Sequence, residues 1–196
     1  MVLTDKNILT FCAASEQVPQ RYLDAATELG RRLAQAGARV VNGGGAAGLM
    51  RAVTDGALSA GGYVTGVIPQ FMVDNGWMHQ GLSRHIITAD MHERKNVMAQ
   101  MSSAAVALPG GVGTLEELLE IVTWRQLGLY RHQILLLNVA GYYDHLIAML
   151  RKAVLEQFMR QSDLDSILVA NTPAEVITLL AASSEVTPLP PAKVQR

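Results

Sequence analysis

The sequence predicts a three-layer α/β sandwich with a mostly parallel sheet, and two observations carry this prediction. Short apolar runs bounded by glycine recur along the 196 residues. These runs do not alternate polar and apolar positions, which is typical of strands that are buried on both faces. Segments with apolar residues at three- and four-residue spacing separate the runs and supply covering helices on both sides of the sheet. This arrangement is a Rossmann-like fold.

The elements follow one another as strand and helix along the chain. The predicted strands are the apolar runs at residues 7–13, 38–42, 63–68, 85–88, 104–108 and 133–139. The predicted helices are the periodic segments at residues 18–36, 47–60, 91–102, 115–129, 142–158 and 173–182. We interpret residues 1–182 as a single domain and residues 183–196, which contain three prolines, as a flexible C-terminal tail.

Composition excludes several classes of protein. The chain is 49% hydrophobic and 17% charged, as expected for one globular domain with a substantial core. A net charge of -1 gives no overall electrostatic reason to bind nucleic acid or an anionic membrane. The first residues lack the features of a secretion signal and no apolar stretch is long enough to span a bilayer, so we expect a cytoplasmic protein. Cys12 is the single cysteine and the five histidines show no metal-ligand spacing, so we predict no metal and no cofactor.

A glycine-rich turn between a predicted strand and a predicted helix is the strongest functional signal. The turn reads Leu108-Pro109-Gly110-Gly111-Val112-Gly113-Thr114, and Glu117 follows it. Glycines let the backbone approach an oxyanion, and the first amides of a helix have no partner within the helix. The turn therefore predicts a phosphate site. A carboxylate is a poor ligand for an anion, so Glu117 is a candidate for chemistry.

Thr114 and Glu117 also form the pattern of a capping box, in which threonine caps the helix and glutamate bonds back to it. Capping alone does not require the preceding glycines. The two interpretations are compatible, because the helix dipole would keep the Glu117 carboxylate ionised. On this basis we expect Glu117 to act as an anion and not as an acid.

A second glycine loop follows the strand at residues 38–42. Its pattern Gly43-x-Gly45-x-x-Gly48 formally matches the dinucleotide fingerprint, so an NAD-dependent oxidoreductase is an alternative. However, the next strand ends without the acidic residue that would hold the ribose hydroxyls, and no Walker-type lysine follows either loop. A monophosphate fits better. A tight turn for helix packing remains the structural alternative for this loop.

Four turns at the carboxyl ends of strands should converge on one crevice, because ligands bind there in open parallel sheets. Besides the two glycine loops, these are the turn that ends at Ser15 and the turn that contains Met91, Arg94 and Lys95. A basic pair is often only a solvated surface feature. On the ligand side of the sheet, however, arginine can pair with phosphate or carboxylate.

Together these motifs closely resemble the LONELY GUY (LOG) family, whose members are often labelled lysine decarboxylases. The resemblance rests on Pro109-Gly110-Gly111-x-Gly113-Thr114-x-x-Glu117, on Gly43-Gly44-Gly45-x-x-Gly48, and on the segments 90–95, 123–128 and 137–143. It covers most of the chain. Two departures are Ala13-Ala14-Ser15, where glycine and serine are common, and Ala140, where aspartate is frequent.

The resemblance implies a hydrolase that cleaves the N-glycosidic bond of N6-modified adenosine 5'-monophosphates. The products would be a free base, either cytokinin or adenine, and ribose 5-phosphate. The family's catalytic arginine and glutamate fall on Arg94 and Glu117. The remaining residues that we expect to bind substrate are Ser15, Gly44, Gly45, Met91, Lys95, Gly110, Gly111, Gly113 and Thr114. A carrier or sensor that binds a nucleotide without cleaving it is the alternative.

The helix predicted at residues 115–129 carries more apolar surface than one sheet face can cover. Its apolar residues are Leu118, Leu119, Ile121, Val122, Trp124 and Leu127. We therefore expect a homodimer, the commonest soluble assembly, with this helix near the interface. The alternative is a deeply buried central helix within one chain.

Overall fold

The chain folds as a doubly wound α/β sandwich in a computed structural model that describes residues 2–182. All pairings in its seven-stranded sheet are parallel, and the strand order is β4-β3-β2-β1-β5-β6-β7. The strands are β1 (Asn7–Phe11), β2 (Arg39–Asn42), β3 (Tyr63–Pro69), β4 (Arg84–Thr88), β5 (Ala104–Ala107), β6 (Gln133–Leu137) and β7 (Ile167–Ala170). The predicted fold class is confirmed. The tail predicted at 183–196 lies outside the described residues.

Helices cover both faces of the sheet. They are α1 (Gln20–Gln35), α2 (Gly48–Ser59), α3 (Gln70–Asp74), α4 (Met91–Met101), α5 (Val112–Gln126), α6 (Asp144–Leu155), α7 (Gln161–Asp165) and α8 (Pro173–Ala182). On one face, α1 packs closely along α2 and α8. Gly30 and Gly56 permit the α1–α2 contact, because a β carbon at either would lie 2.1 Å from a carbonyl oxygen of the other helix.

The core forms two layers of apolar side chains, one on each face of the sheet. Ile8, Val40 and Val106 belong to the layer under α1 and α2, whereas Leu9, Val41 and Ala105 belong to the layer under α4 and α5. Consecutive strand residues thus alternate between the two layers while all remaining buried. This double burial explains why the central strands read as unbroken apolar runs.

The chain reverses its direction of travel through the sheet between β1 and β5. From β1 the chain winds outward to β4, and then crosses to β5 on the other side of β1. The adjoining carboxyl ends of β1 and β5 form the topological switch point, where open α/β sheets bind their ligands. Phe11 pairs with Ala107 at this point, so Cys12 and Leu108 leave the sheet side by side.

Besides the 3-10 helix at Val139–Gly141, three elements of the structure were missing from the sequence prediction. These are β7 and the short helices α3 and α7, each of four or five residues. Such short segments show too little periodicity to predict. The described residues contain no helix that is long and apolar enough to cross a membrane.

Candidate active site

Ala13 links the turns that meet at the switch point. Its amide donates to the carbonyl oxygen of Pro109 at 3.4 Å, and its carbonyl oxygen accepts from the amide of Met50 at 3.2 Å. Gly48 has a left-handed φ of +57°, and a β carbon there would lie 2.5 Å from the carbonyl oxygen of Ser15. The turn after β1 is therefore packed against both glycine loops, which converge on one crevice.

Arg94 reaches from α4 into this crevice and is buried there, with 5% of its surface exposed. Its Nε donates to the carbonyl oxygen of Val67 at 3.0 Å, and its Nη2 donates to that of Gly43 at 3.2 Å. The Met91 sulfur lies 3.6 Å from Nη1. These contacts fix the guanidinium plane, because its donors form a rigid fork.

Glu117 faces Arg94 from the second turn of α5. Its Oε1 lies 3.7 Å from Nη1 of Arg94, and the two side chains are 11% and 6% exposed. This separation is that of an ion pair without a direct hydrogen bond, so the carboxylate keeps accepting capacity for a ligand or water. The structure thus brings together the two residues predicted to be catalytic.

Burial raises the pKa of Glu117 to about 7, although nearby Arg94 opposes this effect. The adjacent carboxylate of Glu116 raises the pKa further. Burial therefore outweighs the helix dipole that we expect to keep Glu117 ionised. The dipole acts mainly within the first turn, whereas desolvation acts on the whole buried carboxyl group. At neutral pH this side chain can both hold and release a proton.

The turn after β5 has the form expected of a phosphate cradle. Gly111 is the N-cap of α5, and within the described chain no side chain caps this helix. Its first amides are therefore available to an anion. Gly111 and Gly113 border open space, since a β carbon at either would meet no atom within 4 Å.

The capping-box interpretation of Thr114 is wrong, because α5 begins at Val112 and not at the predicted Leu115. Thr114 is thus the third residue of the helix, and it is buried. Its side chain lies over Gly110, where a β carbon would come within 2.0 Å of its Oγ1. Gly110 is therefore required for this close packing.

Gly45 lines the crevice and Gly44 is buried next to it, but the amides of both already have acceptors. The amide of Gly44 donates to Oδ1 of Asn42 at 2.9 Å, and that of Gly45 lies 2.9 Å from the Met50 sulfur. Asn42 is itself held by a 3.0 Å bond from its Nδ2 to Thr54. The second glycine loop is therefore rigid, and it offers fewer available amides than the first.

Lys95 points away from the Arg94 side of α4. Its ammonium group binds the carboxylates of Glu116 and, at 3.1 Å, Glu120. These ion pairs tie α4 to α5, the helices that carry Arg94 and Glu117. The Lys95 side chain is 9% exposed, whereas Ser15 is on the surface of its turn.

An apolar pocket beside Arg94 is the feature that the sequence analysis missed. Its volume is about 510 Å³, and it extends from Gly43 and Arg94 to the segment after β3. The large apolar side chains that line it are Met50, Ile68, Met72 and Trp77. The segment 70–79 folds over the second glycine loop through an antiparallel bridge between Gly45 and Met78. Trp77 lines this pocket and is 53% exposed, but its place there depends on the fold, so no sequence pattern indicated the pocket.

The part of the chain that the structure describes contains no group of three or more His, Cys, Asp or Glu side chains placed to hold a metal ion. Cys12 is a free, buried thiol near the Arg94–Glu117 pair, and burial raises its pKa far above the ordinary value. A thiol that remains protonated is a poor nucleophile. The chemically useful groups of the crevice are therefore Arg94 and Glu117.

Comparison with known proteins identifies the family of this chain. Residues 50–180 match the model of a family described as "Possible lysine decarboxylase". The chain is 42% identical over 179 residues to the Oryza sativa subsp. japonica protein named probable cytokinin riboside 5'-monophosphate phosphoribohydrolase LOGL6, covering 91% of this chain and 72% of that one. The chain belongs to the LOG family. A second LOG relative, cytokinin riboside 5'-monophosphate phosphoribohydrolase LOG5 of Arabidopsis thaliana, is 41% identical over 90% of this chain and 78% of its own length.

Solved structures outside these close LOG relatives share the fold. The molybdenum cofactor binding protein of Rippkaea orientalis superposes with a TM-score of 0.70 at 22% identity, covering 91% of this chain and 96% of that chain. The molybdenum cofactor carrier protein of Chlamydomonas reinhardtii also gives a TM-score of 0.70 at 22% identity, covering 91% and 99%. At this level of identity the likeness concerns the fold alone.

Proposed function

We propose that this protein hydrolyses the N-glycosidic bond of purine nucleoside 5'-monophosphates, with N6-modified adenosine monophosphates as preferred substrates. The observation that carries the proposal is the buried Arg94–Glu117 pair, 3.7 Å apart, beside an uncapped glycine-rich helix start. The names of the LOG relatives at about 40% identity favour a hydrolase over a carrier or sensor.

In this proposal the phosphate binds at the start of α5. The amides of Gly111 and Gly113 and the hydroxyl of Thr114 are its candidate ligands, with Gly110 shaping the turn. Gly44 and Gly45 border the ribose and base rather than the phosphate, because their amides already have acceptors. Met91 and Ser15 lie at the edges of the crevice, whereas Lys95 acts through its ion pairs with α5.

The proposed reaction places water across the bond between ribose and base. The bond from the anomeric carbon to the base nitrogen breaks, the carbon takes hydroxyl from water, and the base takes the remaining proton. Positive charge develops on the ribose as this bond breaks, and ionised Glu117 would stabilise it. With a pKa near 7, Glu117 can also accept the proton from water and pass it on. Arg94 would hold the carboxylate and the ribose in position.

The apolar pocket is the proposed site of the base and its substituent. Met72 and Trp77 offer apolar surface on the side away from the phosphate cradle, and each buried methylene of a ligand contributes roughly 0.8 kcal/mol. An isoprenoid substituent on N6 would therefore bind more strongly than the bare amino group of AMP.

A panel of nucleoside monophosphates tests the proposal. Purified protein is incubated with AMP, N6-isopentenyl-AMP, GMP and adenosine, and released base is measured by chromatography. We expect cleavage of the adenine monophosphates and poor cleavage of adenosine, which lacks the phosphate anchor. Glu117→Gln should lower kcat by about 10²–10⁴ while AMP binding persists. Binding of AMP without cleavage by the wild type would favour a carrier or sensor.

We also propose that the protein is a cytoplasmic homodimer. On α5, Leu118, Ile121 and Val122 are buried in the core, whereas Leu119 and the C-cap residue Leu127 are 40% and 55% exposed. A second copy would cover this exposed apolar face. Light scattering after size exclusion measures the mass, and Leu119→Glu should shift a dimer towards monomer. The single buried thiol fits a reducing compartment.

A further inference from the structure

Three consecutive carbonyl groups at the exit of β5 accept hydrogen bonds from other parts of the chain. The hydroxyl of Tyr143 donates to Leu108, the amide of Ala13 donates to Pro109 at 3.4 Å, and the hydroxyl of Tyr142 donates to Gly110 at 2.6 Å. Every peptide oxygen of this exit is therefore turned towards a protein donor.

The direction of each carbonyl sets the direction of the next amide. In a planar trans peptide, the C=O of one residue and the N–H of the following residue point to opposite sides. The Tyr142 bond to the Gly110 oxygen thus aims the Gly111 N–H away from Tyr142, at the start of α5. Gly111 is exposed and has no β carbon to restrain its rotation, so a fixed direction requires a partner.

The local backbone is built to present Tyr142. Ala140 and Gly141 both adopt left-handed conformations, with φ of 52° and 72°, which turn the chain sharply after β6. The Tyr142 ring then packs edge-on against Tyr22 and Tyr143, with centroids 5.7 and 5.1 Å apart. At 40% exposure, Tyr142 has little role in the core, so its ordered hydroxyl calls for another explanation.

We propose that Tyr142 is a positioning residue that orients the Gly110–Gly111 peptide so that the Gly111 amide binds the substrate's phosphate. This inference rests on the proposed function, since it assigns the phosphate to the start of α5. Tyr142 touches no reacting atom. Its removal should weaken binding of the phosphate group and leave the chemical step unchanged.

Tyr142→Phe removes the hydroxyl and keeps the ring. Tyr22→Phe is the matched control, because it removes a neighbouring hydroxyl whose hydrogen bond, from Arg21, lies outside the glycine turn. Calorimetry measures the Kd of AMP, of inorganic phosphate and of adenosine for each protein in a Glu117→Gln background, where AMP should bind without being cleaved. The AMP assay on the proteins that retain Glu117 supplies KM and kcat.

For Tyr142→Phe we expect the Kd of AMP and of phosphate to rise by about threefold to tenfold, the net worth of one hydrogen bond. The KM for AMP should rise with them, while kcat, the Kd of adenosine and all values for Tyr22→Phe stay within about twofold. Unchanged AMP and phosphate affinity in Tyr142→Phe would overturn the inference. An equal loss of adenosine affinity would also overturn it, because that indicates a general disturbance of the crevice.

The same measurements separate this inference from the proposed reaction. If the wild type binds AMP and phosphate but cleaves no nucleotide, the hydrolase proposal fails and the Kd values still decide the role of Tyr142. If the wild type cleaves AMP and Tyr142→Phe binds it normally, the reaction stands and the inference fails. Wild-type protein that binds neither probe would contradict both.

Discussion

The guanidinium group of Arg94 occupies the space that a β carbon at Gly43 would need. The ideal β position at Gly43 lies 1.6 Å from Nη2 of Arg94, and the Gly43 carbonyl oxygen accepts a hydrogen bond from the same nitrogen. Gly43 is thus required by the proposed catalytic arginine. This explains one glycine of a loop that otherwise resembles a dinucleotide fingerprint.

Gly43→Ala should therefore displace Arg94 and impair catalysis without unfolding the protein. We expect kcat/KM for AMP to fall by about 10²-fold, because a misplacement of about 1 Å at a reacting centre can cost this much. Gly61→Ala is the control, since a β carbon there meets no atom within 4 Å and its left-handed φ affects stability alone. Wild-type kcat/KM in Gly43→Ala would contradict the role given to Arg94.

The pKa of Glu117 predicts how activity depends on pH. Because the ionised carboxylate stabilises the developing cation, kcat/KM should be low below pH 6, rise through about 7 and level off above it. Activity rises with pH because the carboxyl group of Glu117 loses its proton as pH rises. Glu116→Gln removes a neighbouring charge that raises this pKa, so its profile should shift to lower pH. A profile that falls through pH 7, or one that Glu116→Gln shifts upwards, would argue against an ionised Glu117.

Lys95 should affect stability and catalysis but not the affinity for phosphate. Its ammonium group binds Glu116 and Glu120, so Lys95→Met removes the ion pairs between α4 and α5 and leaves the phosphate cradle intact. We expect a loss of roughly 1 kcal/mol in unfolding free energy, because both partners are partly exposed, together with a lower kcat. Denaturant unfolding and phosphate calorimetry measure the two effects, with Lys152→Met on the exposed surface of α6 as control. Weaker phosphate binding in Lys95→Met would instead place this residue at the substrate.

Ala140 carries local strain that glycine should relieve. A non-glycine residue in the left-handed region destabilises the folded state by about 1–2 kcal/mol, and glycine would remove this strain. Part of the resulting gain in stability is lost, because glycine also raises the conformational entropy of the unfolded chain. Ala140→Gly should therefore raise the unfolding free energy by up to about 1 kcal/mol. Ala148→Gly, in the exposed face of α6, should instead lower it by about 1 kcal/mol. Thermal or denaturant melts compare the pair, and a destabilised Ala140→Gly would show that the strain estimate is wrong.

Trp77 should influence the choice of base more than the chemical step. Its ring forms part of the apolar pocket, so Trp77→Ala should lower the ratio of kcat/KM for N6-isopentenyl-AMP over AMP by roughly tenfold. Phe71→Ala is the control, since Phe71 is similarly exposed on the same segment but does not line the pocket. Equal losses of kcat/KM for both substrates would show that Trp77 does not determine which base is preferred.

A feature of this protein can be predicted from its sequence when the residues that determine it lie close together in the chain. Buried strands such as β1 and helices with long apolar stripes could be predicted, because neighbouring residues of the sequence show the pattern of apolar positions. Arg94 and Glu117 could be selected because their motifs lie next to strand ends, where parallel sheets gather their ligands. The ionisation of Glu117 could not be predicted, because it depends on burial by residues distant in sequence. The apolar pocket likewise depends on Met72 and Trp77 folding back over Gly45, a contact for which the sequence offers no spacing rule.

The segment 70–79 lies between β3 and β4. Two backbone hydrogen bonds hold it to the second glycine loop, one from the amide of Ala46 to the carbonyl oxygen of Trp77 and one from the amide of His79 to the carbonyl oxygen of Gly44. Apart from the His79 side chain, which lies 2.9 Å from Asp55, the attachment therefore depends little on the identity of the segment's own side chains. Replacing this segment by another of equal length should alter ligand preference while Arg94 and Glu117 stay in place. The segment is therefore a suitable starting point for redesigning selectivity.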